Sequence, residues 1–117
     1  MYKKIFNEDH LHEMANLKNN KTGLSHGTIY ISTSEGNHGP RVKFFKGRPG
    51  SYLPSASITI SDIPTVVEDS IGITINEKNE IIAFININKE KLLKIWNYGN
   101  SMYSNEFDKI KNSLKKI

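Results

Sequence analysis

The sequence predicts an α+β fold: a small antiparallel sheet of three or four strands packed against an N-terminal helix and C-terminal helices. Two runs of strict alternation flank a glycine-bearing connection between residues 28 and 46, and a third run, ASITIS, follows at 56–61. From residue 79 onward the apolar residues recur at three and four instead. Strands grouped in the middle and helices grouped at the ends indicate α+β, not the regular alternation of a parallel fold. At 117 residues the chain forms one domain, 1–117, with no internal repeat and no linker.

In the first element, Asn7 can cap a helix with Glu8 and Asp9 in its first turn and Phe6 packed on Leu11. Leu11, Met14, Ala15 and Lys18 then share a helical face, and Asn19, Asn20 and Gly23 end it. His10 and His12, two apart, point about 200° apart on a helix and cannot share a metal.

Thr28 to Thr33 alternates with Ile29 and Ile31 inward, and Arg41 to Lys46 with Val42 and Phe44 inward. The outer face then displays Tyr30, Ser32, Arg41, Lys43 and Phe45. The connection Ser34 to Pro40 is too long for a two-residue turn, and its Gly36-Asn37 and Gly39-Pro40 pairs mark it as a loop. Gly47 to Pro54 is a loop by composition. Ala56 to Ser61 supplies a third strand with Ile58 and Ile60 inward. Thr65 to Ile75 fits either a short strand pair about Ser70 and Gly72 or an irregular bridge.

Asn79 to Asn88 is rich in β-branched residues, yet its apolar positions continue at helical spacing into Leu92 and Trp96. The spacing predicts helix, with Asn88 capping and kinking its second half and Gly99 ending it. Trp96 belongs to the core. Ser104 can cap a last helix with Phe107, Ile110, Leu114 and Ile117 on one face.

Composition narrows the chemistry. The chain has no cysteine, which removes disulfides, thiolate nucleophiles and cysteine-held zinc. No Walker loop, GxGxxG, nucleophile elbow or HExxH occurs, so no cofactor is expected. Two histidines with Asp62 offer metal ligands without a spacing that selects a metal, and none is assigned. No apolar run reaches the roughly 20 residues of a membrane span, so a cytoplasmic protein without a membrane partner is expected.

The net charge is +4, unevenly spread. Residues 28–61 carry four basic and one acidic residue, residues 62–76 three acidic and none basic, and residues 101–117 four basic and two acidic. A polyanion is drawn to the hairpin and the C-terminal region and repelled by the segment between them.

Arg41, Lys43, Lys46 and Arg48, with Tyr52 for stacking, are the candidate nucleic-acid-binding residues. If the protein is a metal-independent ribonuclease, His38 serves as base, Tyr30 or His26 as acid, and Arg41 with Lys43 as the clamp on phosphorane charge. On the alternative reading His38 is a turn residue beside Gly39, and the cations are ordinary solvated strand residues.

KTGL at 21–24, HGPRVKF at 38–44 and the closing Leu92, Leu93, Trp96 and Leu114 to Ile117 form a pattern that resembles small bacterial and phage proteins. In these a TGL segment, an HGPR(I/V)KV strand and an LLxxW…LxxI region recur; this chain departs from the strand pattern with Phe44 in place of Val. The group includes type VI-A anti-CRISPR proteins, which oppose an RNA-guided, RNA-cleaving effector. The resemblance covers roughly residues 21–117 and implies action on RNA or on such an effector, with no catalytic residue assigned. The expected function is therefore a small RNA-binding regulator or inhibitor; a toxin-like endoribonuclease and a protein-binding inhibitor without RNA contact are its rivals.

Overall fold

The computed structural model describes residues 16–33, 38–47 and 53–117. Among them run β1 (Asn16–Lys18), α1 (Asn19–Thr22), β2 (Thr28–Ile31), β3 (Arg41–Phe45), β4 (Ala56–Thr59), β5 (Val66–Asp69), α2 (Ile75–Tyr98), a short 3₁₀ turn (Gly99–Ser101) and α3 (Ser104–Asn112). The architecture is α+β. The strands pair antiparallel in chain order, β1-β2-β3-β4-β5, with one irregularity in register at Ser57 and Ile58.

Period-two alternation decides which side of each strand enters the core. Leu17, Ile29, Phe44 and Ala56 occupy one buried row across four strands, and Ile31, Val42 and Ile58 occupy the next. Opposite them lies α2, which buries Ile81, Phe84, Ile85, Leu92 and Ile95 in the same core. The inward residues expected of 28–33, 41–46 and 56–61 are all buried.

The sheet has five strands rather than three or four, and both additions are edge strands. Residues 16–18, expected to close the first helix, form β1, because Leu17 completes the buried row opposite Ile29 while Asn16 and Lys18 face away. Pairing of this kind overrides a weak helical preference. The rest of that expected helix lies outside the described residues. In the 65–75 region, Val66–Asp69 is a single strand. It ends where the Asp69 carboxylate accepts the backbone N–H groups of Ile71, Gly72 and Ile73, a turn that uses a positive φ of 68° at Gly72.

α2 is one continuous helix through Asn88, so Asn88 does not cap a second segment. Asn88 is buried and serves a different purpose. Its Nδ2 donates to the carbonyls of Phe84 (3.1 Å) and Lys115 (2.9 Å), and its Oδ1 accepts the Lys115 N–H at 2.8 Å. The last helix begins at Ser104, with Tyr103 in the cap position and its N–H bound by Glu106. It stops at Asn112 rather than continuing to Ile117, and residues 114–117 run back across the molecule until the Ile117 N–H meets the Thr22 carbonyl at 2.9 Å.

Two positive-φ glycines make close approaches that a side chain would block. Gly23 closes α1 with φ 81°, and a Cβ there would collide with the Ile117 backbone. Gly27, at φ 85°, lies against the Phe44 ring. Gly27→Ala is expected to cost at least about 2 kcal/mol through strain and collision. Gly39→Ala, where a Cβ meets nothing, should stay within about 0.5 kcal/mol of the parent. Asn88→Ala should lose roughly 2 kcal/mol by stranding both polar groups of Lys115. Urea denaturation midpoints check all three.

Candidate nucleic-acid interface

The outward face of the sheet follows from the inward one. Between the two buried rows lies the outer row Asn16, Tyr30, Lys43, Ser57 and Glu68, each directly opposite the next in the ladder. One step to one side is Arg41 opposite Thr59; one step to the other are Lys18, Thr28 and Phe45. Tyr30 is partly exposed, and Lys43 projects into solvent beside it.

The face is selective about what it offers. Phe45 is only 5% exposed and Ser57 2%, so neither presents a surface to a stacking base. Arg41, with 15% of its side chain exposed, donates from Nη1 to Glu68 Oε1 at 3.0 Å. Among the described residues, Lys43 is the hairpin cation that makes no ion pair. Arg48 and Tyr52 lie outside the described residues.

Lys46 is on the other side of the sheet, as its parity with Val42 and Phe44 dictates. Its Nζ sits 3.7 Å from Glu77 Oε1 and 3.5 Å from the Gly72 carbonyl. Glu77 is the third residue of α2 and only 4% exposed. It accepts the Thr74 N–H at 2.8 Å while its own N–H donates to the Thr74 hydroxyl, a reciprocal cap at the start of the helix. The sequence carries this signal as Thr-x-x-Glu at 74–77.

Glu77 Oε2 also meets His26 Nε2 at 2.5 Å, and one turn on Glu80 binds the Ser25 N–H and hydroxyl at 3.2 and 2.6 Å. The segment after α1 is thereby latched to the start of α2. Burial pushes the Glu77 carboxyl up, but the hydrogen bonds from Thr74 and His26 and the charge of Lys46 outweigh it and hold the group below its ordinary value of 4.5.

His38 packs its ring on Trp96, with centroids 5.8 Å apart. Trp96 is buried on α2, the helix that covers the inner face, whereas Tyr30 and Arg41 belong to the outer face. His26 is held at residue 77 of that helix and His38 at residue 96, which separates them by about 28 Å along its axis. No base and acid drawn from these two histidines can flank one phosphate.

Among the described residues no three His, Asp or Glu side chains gather as metal ligands. Asp62 instead binds Lys89 at 2.6 Å, which holds its carboxyl below the usual range. No helix among the described residues is long and apolar enough to cross a membrane.

Because Glu77 titrates lower in the folded protein than in the unfolded chain, its contribution is full above about pH 4.5 and is lost as pH falls through the folded value. Glu77→Gln should be less stable than the parent at pH 7, and the gap should narrow steadily as the pH is lowered toward 3. Urea midpoints measured across that range check it; a gap of constant width would refute the assignment.

No protein-family model matches the chain, and neither a curated protein nor a solved structure is significantly similar to it.

Proposed function

We propose that this protein is a small RNA-binding regulator or inhibitor, of anti-CRISPR kind, that meets single-stranded RNA or an RNA-guided effector through the outer face of its β2–β3 hairpin. The observation that carries this reading is the register pair Tyr30 and Lys43: a partly exposed aromatic ring directly opposite an exposed ammonium without an ion pair. A ring and a cation at this spacing suit an unpaired nucleotide, the ring toward the base and the ammonium toward the phosphate. Arg41, on the same face, adds a guanidinium whose partner Glu68 is well exposed, so that a phosphate can compete with that carboxylate for it.

Binding without cleavage is favoured over a ribonuclease by the position of His38 on Trp96 of α2, away from His26 and from the outer face that carries Tyr30 and Arg41. Retention of RNA then has to come from charge and stacking alone. A protein docking on an acidic effector surface through the same lysine remains an outcome that the test distinguishes.

The test incubates the protein with labelled single-stranded RNA in EDTA and runs native and denaturing gels side by side. A shifted, uncut band is expected, with the shift lost in Arg41→Ala combined with Lys43→Ala. Lys43→Ala alone should flatten the log-log salt dependence by about 0.7, the share of one phosphate contact on a single strand. Cleavage abolished by His38→Ala would establish the ribonuclease instead, and no shift at all would point to a protein partner.

A further inference from the structure

Charge is sorted across the sheet. At the β5 edge lie Glu68 and Asp69, the acidic segment that repels a polyanion. The opposite edge, β1, carries Lys18 on the outer face and leads directly into α1 with Lys21. The return of the C-terminal residues to that edge brings a second set of lysines: residues 18–22 and 109–117 together hold Lys18, Lys21, Lys109, Lys111, Lys115 and Lys116 and no acidic residue.

This second set is held in place. The Ile117 N–H is bound to Thr22, both polar backbone groups of Lys115 are bound by the buried Asn88, and Lys91 Nζ donates to the Ser113 carbonyl at 2.7 Å. The charge of Lys21 acts on Lys111. Loss of solvent and that repulsion together leave the Lys111 ammonium more acidic than an ordinary lysine, against the pull of Asp108. Gathering like charges opposes folding, and a polyanion bound there would relieve that repulsion.

The gap to the hairpin is small. Lys18 is two strands and two residues from Lys43 in the ladder, about 12 Å between Cα positions; Thr28 and Phe45 on its row are buried, so the link between the two lysines runs past the partly exposed Tyr30 and is made by their long side chains. We infer that the RNA-binding surface continues from Lys43 through Lys18 over the β1 edge to a second phosphate-binding cluster, Lys21, Lys115 and Lys116, and runs away from β5. The inference rests on the RNA-binding reading and gives it a direction: a single strand of RNA crosses the sheet toward α1 and the C-terminal residues.

The probe is a fluorescein-labelled 20-mer of oligouridine, with anisotropy followed from 50 to 300 mM NaCl. The variants are Lys21→Gln/Lys115→Gln/Lys116→Gln, all at exposed side chains, its Arg counterpart at the same positions, and Arg41→Ala/Lys43→Ala. The Gln triple should bind at least tenfold more weakly, with a salt slope shallower by about 2, the share of three phosphates. The Arg triple should bind as the parent does, and thermal melting of both triples should match it. Parent-like binding by the Gln triple with loss in the hairpin double would overturn this inference and leave the hairpin reading standing. Loss in the Gln triple with parent-like binding by the double would keep the lysine cluster as a site but overturn the continuous track and the hairpin contact together. Failure of the parent to bind would overturn both readings.

Discussion

Phe44 must face α2, and most of the molecule is arranged by that requirement. It sits in the buried row with Leu17, Ile29 and Ala56, fully enclosed, with Gly27 reduced to a bare backbone to admit its ring. Because strand side chains alternate, a slip of one residue in β3 would press Arg41, Lys43 and Phe45 onto the helix and turn Val42 and Phe44 to water. Burying two unpaired cations costs several kcal/mol each, and truncating a buried Phe about 3–5 kcal/mol, so the register has no competitor. Lys43 is on the outside because of what packs on the inside.

A second constraint acts at a single polar residue. Asn88 occupies the core side of α2, where an unpaired amide would cost about 1–3 kcal/mol. Its partner is the backbone of Lys115, and that bond draws the residues after α3 across the helix toward α1. Lys91 and Thr22 secure the same segment on either side. Gly23 then has two duties, closing α1 and leaving room for Ile117. The TGL segment and the HGPRVKF strand thus both hold positions where small or buried residues fix the scaffold.

The core was readable because alternation is a strong signal where it runs uninterrupted. Ile29, Ile31, Val42, Phe44, Ile58 and Ile60 stand out in the sequence and are all buried. The helix after residue 79 was readable too, its β-branched content outweighed by length and spacing. The edge strands were not. β1 has one apolar residue, and its Leu17 fits a helical face equally well; β5 carries two acidic residues that disguise it as a loop. Asn88 looked like a cap because asparagine favours helix ends, and only its contact with residues 27 positions away explains it mid-helix. The parity that turns Lys46 inward was present in the sequence, and so was the Thr74–Glu77 cap, whereas the approach of Lys21 to Lys111 and of Thr22 to Ile117 depends on tertiary packing that no local pattern encodes.

Pairing of the strands in chain order also sets a sequence of events for the chain as it folds. Each neighbour closes a short loop at small entropic cost, so the ladder from β2 to β5 can form from contacts local in sequence. The bond between Thr22 and Ile117 spans almost the whole chain and has to wait for α2 and α3. The strands can therefore pair while the lysines of α1 and of the C-terminal residues are still apart, and their apolar face is covered only when α2 packs on it. The concentrated positive charge is assembled last, when the packed core is already in place to withstand the repulsion.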